Sequence, residues 1–154
     1  MEQYRTAADA LKKCELKGSI LPLANIDKEQ IKSLLDLSYG DLLAAEKLSQ
    51  GLDAKSILWN NIYTNYYDAL HKIIDAFLRF DNITSLNHIC LFAYLCEKHP
   101  ELELNWDFFE KIRTKRNGIN YYGQKTYQID WKHIEIQTKL YHKTIEIELL
   151  KKLP

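Results

Sequence analysis

Apolar residues recur along this chain at helical spacing, in long windows that few Pro or Gly residues interrupt. Ile31, Leu34, Leu35, Leu42, Leu43 and Leu48 form most of one stripe. Asp27 stands just before it, where its carboxylate can accept from the first turn, and Gln30 follows three residues on, as in a capping box. Ile26 and Ile31 occupy the two positions of a hydrophobic staple. Gly40 interrupts the stripe and Gly51 ends the helix. The same start signal recurs at Leu52, Asp53 and Ile57. It predicts the longest helix, from Ala54 to about Phe80, on the order of 40 Å at the usual rise. Leu58, Ile62, Ala69, Ile73 and Phe77 make one stripe on it; Trp59, Tyr63, Leu70, Ile74 and Leu78 make a second beside the first. So broad an apolar face belongs at the centre of a bundle, or is shared between the bundle and a dimer interface.

The flanking segments complete the pattern. A weak helix is predicted from Gln3 to Lys13, before a break at Gly18-Ser19. After the polar Asp81-Asn82, a helix starts at Thr84 or Ser85, turns Leu86, Ile89, Ala93 and Cys96 inward, and ends before His99-Pro100. Asn105 can cap a helix holding Trp106, Phe109 and Ile112. A loop follows from Gly123 to Gln128. Ile129, Asp130 and Ile134 repeat the staple and cap, and the last helix runs to about Lys152 with Ile134, Tyr141, Ile145 and Leu149 inward. Alternation at Tyr127, Ile129 and Trp131 is also compatible with a strand. The expectation is an all-α, up-and-down bundle of four to five helices over residues 26–154, preceded by an N-terminal extension, residues 1–25.

The 154 residues are enough for one domain with its own core. Twenty-one basic residues balance twenty-one acidic ones, so an anion site must be a local patch. Three cysteines, Cys14, Cys90 and Cys96, are an odd and widely spaced set. They argue against a disulfide framework and for a reducing, cytoplasmic setting, with Cys90 and Cys96 as core residues. No apolar run is long enough to span a membrane, and the first residues lack a secretory pattern. His71, His88, His99, His133 and His142 show no metal-ligand spacing, and no cofactor motif is visible. Ten tyrosines suit interfaces and wet clefts, or simply an AT-rich coding sequence.

The least helix-like stretch is Arg113 to Gly123, Arg-Thr-Lys-Arg-Asn-Gly-Ile-Asn-Tyr-Tyr-Gly. Asn117, Gly118 and Asn120 are all poor helix formers. A frayed helix end with Gly123 as its stop explains part of this. A site explains the rest. Arg113, Arg116 or Asn117, and Asn120 share a face at spacings of three and four. Arg116 offers a planar fork suited to phosphate, and Asn120 can read a base edge or 2′-hydroxyl. Lys115 adds charge, and Tyr121 or Tyr122 can stack on a base. The structural alternative pairs Arg113 and Arg116 with Glu110, Asp107 or acidic residues of a neighbouring helix. His88 stands open between a local hydrogen bond at a helix start and an acid/base role near Arg116.

The order of these segments resembles the HEPN family (higher eukaryotes and prokaryotes nucleotide-binding) over roughly residues 27–150. Tyr66-Tyr67-Asp68-Ala69-Leu70-His71-Lys72, with Asp75-Ala76-Phe77-Leu78 after it, looks like the family's long second helix. Asn87-His88 opens the third. Arg116-Asn117 is similar to the family's Arg-polar pair, which precedes a His by four to six intervening residues. The resemblance implies a homodimer that binds RNA or a nucleotide, of the toxin–antitoxin or defence type, with a minimal nucleotidyltransferase as a possible partner. It carries the motif's Arg role to Arg116 and its polar-neighbour role to Asn117. The motif's His position holds Tyr121, which is mostly protonated at neutral pH and a poor base. Where some family toxins carry a modifiable Tyr, this chain has Gly123, with Tyr122 beside it. The expectation is therefore a binding protein degenerate in catalysis, with Arg116, Asn117 and Tyr121 at the reacting position and Arg113, Lys115, Asn120 and Tyr122 around it. The alternatives are an active metal-independent endoribonuclease with a composite dimeric site at Arg116, and a purely helical dimerisation or interaction module.

Overall fold

The computed structural model describes residues 4–154. It is an all-α helical bundle. In chain order it comprises α1 (Ala7–Leu16), β1 (Leu21–Pro22), α2 (Lys28–Ser49), α3 (Trp59–Leu78), β2 (Ile83–Thr84), α4 (His88–Lys98), α5 (Trp106–Tyr122), α6 (Gln128–Lys132) and α7 (Glu135–Lys152). Short 3-10 turns at Arg79–Asp81 and Pro100–Leu102 link α3 to β2 and α4 to α5.

Local signals place several boundaries where the pattern puts them. Asp27 accepts from the Gln30 N–H at 3.1 Å, and Asn105 accepts from the Phe108 N–H at 3.0 Å. Gly123 ends α5 at φ 64, a left-handed conformation that suits glycine. Elsewhere tertiary contacts override the local signal. The Asp53 carboxylate accepts from the Lys55 N–H and the Trp59 indole N–H donates to the Asp53 carbonyl, so residues 53–58 form turns and α3 starts five residues late. Thr84 donates to Asp75 and Ser85 accepts from the Asn87 N–H; Asn87, not Thr84 or Ser85, then caps α4. Leu86 is consequently 93% exposed rather than inward. Leu43 also faces out. The Tyr127 region forms the short α6, with the Tyr127 N–H donating to Asp130.

The core is built around α3. Ile62, Ala69, Ile73, Phe77, Trp59, Tyr63, Leu70, Ile74 and Leu78 are all buried, so both stripes are covered within one chain except at Leu58, which lies in the turn before α3 and is exposed. The double stripe therefore supplies no dimer interface. The inward positions Ile134, Tyr141, Ile145 and Leu149 of the last helix are buried as expected.

The N-terminal segment is part of this core, not an extension outside it. Ala7, Ala10, Leu11 and Cys14 are buried, and α1 packs on α4. β1 pairs antiparallel with β2, Leu21 opposite Thr84 and Pro22 opposite Ile83. Cys14 and Cys90 form a disulfide between α1 and α4 across a separation of 76 residues. This corrects the expectation of unpaired cysteines. Spacing along the chain could not reveal it, because the fold alone brings the two residues together. Cys96 is the free thiol, and burial pushes it up to about 12. Among the described residues no helix is long and apolar enough to cross a membrane.

Candidate functional site

A cleft of about 580 Å³ opens between the α1–β1 turn, the start of α4 and the middle of α5. The turn contributes Gly18, Ser19 and Leu21; the α4 entry contributes Ser85, Leu86, Asn87, His88 and Ile89; α5 contributes Arg113, Arg116, Asn117 and Tyr121. Three of these side chains are the ones singled out by sequence as the reacting set: Arg116, Asn117 and Tyr121. The spacings of one, four and five residues put them along one side of α5.

Arg116 sits on the inner wall. Its guanidinium lies over the Tyr67 ring, 5.4 Å from the centroid, and one terminal nitrogen is 3.9 Å from the Asp68 carboxylate. Its Nε is buried without a hydrogen-bond partner. An ion pair that long is a loose tether and leaves the planar fork available to an anion. Burial raises Asp68, against the pull of Arg116 and Lys72, which weakens the hold further.

Behind Arg116 stands a pair of stacked imidazoles. The His71 and His88 rings are 3.7 Å apart, and His88 Nδ1 shares a 3.0 Å hydrogen bond with the Tyr67 hydroxyl. Burial pushes His71 down to about 4 and His88 down to about 3, with Arg116 adding to both shifts. Both rings are therefore neutral at pH 7. Burial also raises Tyr67, so its hydroxyl keeps its proton. With Nδ1 engaged, His88 Nε2 is the ring nitrogen left for a ligand. His71 Nε2 is buried without a hydrogen-bond partner, as is Arg116 Nε, so two polar atoms at this end of the molecule call for one.

The remaining expected residues divide. Arg113 lines the cleft, yet its guanidinium is held by Glu110, Nε to Oε1 at 2.8 Å and a terminal nitrogen to Oε2 at 3.1 Å. For Arg113 the structural alternative is the observed one. Lys115 pairs with Asp130 at 3.7 Å, and neither Lys115, Asn120 nor Tyr122 lines the cleft. Gly118 has a structural cause. Its carbonyl accepts from the Gly123 and Gln124 N–H groups, and a Cβ there would displace the flexible end of the Gln124 side chain.

Sequence reading left His88 open and did not place Ser19, Leu21 or Leu86 at the site. Only His88 carried a signal, its position directly after a helix cap. Among the described residues no group of His, Cys, Asp and Glu is placed to hold a metal ion.

The arrangement can seat a phosphate at Arg116 beside the start of α4, where the helix dipole favours an anion, although Asn87 already holds the Ile89, Cys90 and Leu91 N–H groups. Tyr121, 70% exposed, and Leu86 offer a wet, apolar rim for a base. Comparison with protein-family models, curated proteins and solved structures finds no match for this chain.

Proposed function

We propose that the chain is a HEPN-like RNA- or nucleotide-binding protein whose ligand occupies the Arg116 cleft, and that it is degenerate in catalysis. One observation carries this reading. Arg116, Asn117 and Tyr121 line one cleft with the entry of α4, and the Arg116 Nε there is buried and unpaired. The phosphate would meet Arg116 and the base would rest on Tyr121 and Leu86. The toxin–antitoxin or defence role, a homodimeric state and a minimal nucleotidyltransferase partner belong to the same proposal through the resemblance. A cytoplasmic setting belongs to the same proposal through the resemblance, and the Cys14–Cys90 disulfide weighs against it, because cytosolic thiol buffers make structural disulfides rare.

A second reading is favoured by His88. It lines the same cleft, and an anion bound at Arg116 would raise its depressed imidazole toward the range in which it can act as a base in place of the His that the motif lacks. The protein would then be a metal-independent endoribonuclease.

Labelled single-stranded RNA separates these readings. The binding reading expects association by fluorescence anisotropy with little cleavage on a gel, and at least a tenfold loss of affinity in Arg116→Ala. Tyr121→Phe should change affinity by no more than one hydrogen bond, about 0.5–1.5 kcal/mol. Robust cleavage that persists in chelator and disappears in His88→Ala would replace it with the second reading. Absence of binding by wild type would remove both and leave an interaction module.

A further inference from the structure

The end of α5 and the loop to α6 expose three tyrosines. Tyr121 and Tyr122 are 70% and 73% exposed and Tyr127 is 38% exposed. Asn120, Gln124 and Lys125 are exposed among them. The backbone beneath these side chains is tied down. The Gln124 N–H donates to the Gly118 carbonyl at 3.0 Å, the Thr126 N–H to Asn60 Oδ1 at 2.7 Å and the Gln128 N–H to the Ala54 carbonyl at 3.1 Å. The rings are therefore presented from an anchored segment, which lowers the ordering cost of binding to them.

The chain's charge is uneven here. Six of its 21 basic residues fall between residues 111 and 132, but only one of its 21 acidic residues, Asp130. A protein of zero net charge thus carries a local cationic field. Arg113 is committed to Glu110, but Lys115 reaches Asp130 only at 3.7 Å and Lys132 reaches Glu135 only at 4.0 Å. Long, partly exposed pairs of this kind contribute little and yield to a phosphate. Tyr121 lines the Arg116 cleft, whereas Tyr122, about 100° further round the helix, does not. The two rings flank the end of α5, and Lys125 and Tyr127 follow on the way to α6. Cations interleaved with ring faces and amides suit a single strand: charge for its phosphates, rings for its bases, amides for base edges. A membrane surface asks instead for a continuous apolar face, which Asn120, Gly123 and Gln124 interrupt.

We infer that residues 120–127 form a track for single-stranded RNA that continues from the Arg116 cleft, so that the ligand is a strand and not a free nucleotide. The inference rests on the proposed RNA-binding reading for its starting point at Arg116. Along the track Tyr122 and Tyr127 stack bases, and Lys125 meets the backbone phosphates.

Fluorescence anisotropy with labelled oligouridylates of two lengths tests this. An octanucleotide should bind about tenfold or more tighter than a dinucleotide, because each further stacked base adds about fivefold or more. In Tyr122→Ala the octanucleotide affinity should fall about fivefold or more. In Lys125→Ala the slope of log affinity against log salt should shrink by about 0.7, the share of one phosphate contact on a single strand. Both side chains are exposed, so helical circular dichroism should confirm that the variants fold. Equal affinity for the two lengths would overturn the track and leave the cleft reading standing. So would an octanucleotide affinity lost in Arg116→Ala and untouched in Tyr122→Ala. Affinity lost in Tyr122→Ala and retained in Arg116→Ala would uphold the track and remove the cleft. Absence of binding to either oligonucleotide would overturn the track, and binding to phosphatidylserine-containing vesicles in its place would assign the patch to a membrane surface.

Discussion

His88 stacks on His71 with 3.7 Å between ring centroids, and Tyr67 holds His88 Nδ1 at 3.0 Å. Two residues of α3 thus fix the His88 imidazole in the wall of the cleft that Arg116 lines. The pair is kept neutral chiefly by burial, with the Arg116 cation adding to it. An anion bound at Arg116 would reverse that electrostatic pressure.

Ligand binding should therefore be coupled to proton uptake. In the free protein His71 and His88 lose their protons near pH 4 and pH 3. A phosphodiester in the cleft favours the imidazolium form and raises both. Affinity for a short RNA should then strengthen as pH falls from 8 toward 5, with protons taken up on binding. A phosphodiester has no ionisation of its own in that range, so calorimetry in two buffers of different ionisation enthalpy reports the protein's protons alone. Affinity flat across this range would place the anion away from the two rings.

Arg113 and Arg116 are three residues apart yet should respond differently to removal. Arg113→Ala strands the Glu110 carboxylate, which is only 14% exposed, and should cost about 1–3 kcal/mol in denaturant unfolding. Arg116→Ala removes a loose 3.9 Å ion pair and the contact with the Tyr67 ring, and should cost about 1 kcal/mol or less in unfolding while weakening RNA binding. The opposite pattern would make Arg113 the ligand contact.

The helices themselves were legible in the sequence because their signals are local. Asp27 and Asn105 cap from three residues away, Gly123 supplies the left-handed stop, and the buried stripes of the central helix repeat within a few turns. The misplaced start at Asp53 shows the limit, since the Trp59 indole claims the Asp53 carbonyl and turns the segment instead. The site was legible along α5 for the same reason. Its opposite wall was not. Ser19, Leu21 and Leu86 reach it only because α1 folds onto α4, a contact that no spacing along the chain encodes.

The Cys14–Cys90 link is open to direct counting. Denatured, unreduced protein should show one reactive thiol per chain, and three after reduction, because three cysteines are present and one is free. Closing a loop across 76 residues stabilises by roughly 4.5 kcal/mol in the chain-entropy account, and losses of about 2–5 kcal/mol are typical when such a bond is removed. Cys14→Ser with Cys90→Ser should lose stability in that range. Three thiols in protein purified without reductant would show that the pair is held reduced.

The bundle should also weaken in acid at a point far from the cleft. Ser38 Oγ donates to the Ala69 carbonyl at 2.7 Å, so its lone pair accepts from His142 Nε2–H, also at 2.7 Å. That fixes His142 as the neutral tautomer with the proton on Nε2. Both residues are buried, and burial pushes His142 down to about 4, although the nearby Glu146 carboxylate opposes the shift. A depressed histidine binds fewer protons in the folded state than in the unfolded state. Its contribution is therefore complete above about pH 6.5, the unfolded value, and fades as pH falls toward 4. His71 and His88 act in the same direction. Urea midpoints should fall steadily from pH 7 to pH 4. Ser38→Ala leaves the buried His142 N–H without a partner and should cost about 1–3 kcal/mol at neutral pH. His142→Phe removes one titrating group and should flatten the acid limb while leaving the His71–His88 share in place. An acid limb of unchanged slope in that variant would assign the whole effect to the cleft pair.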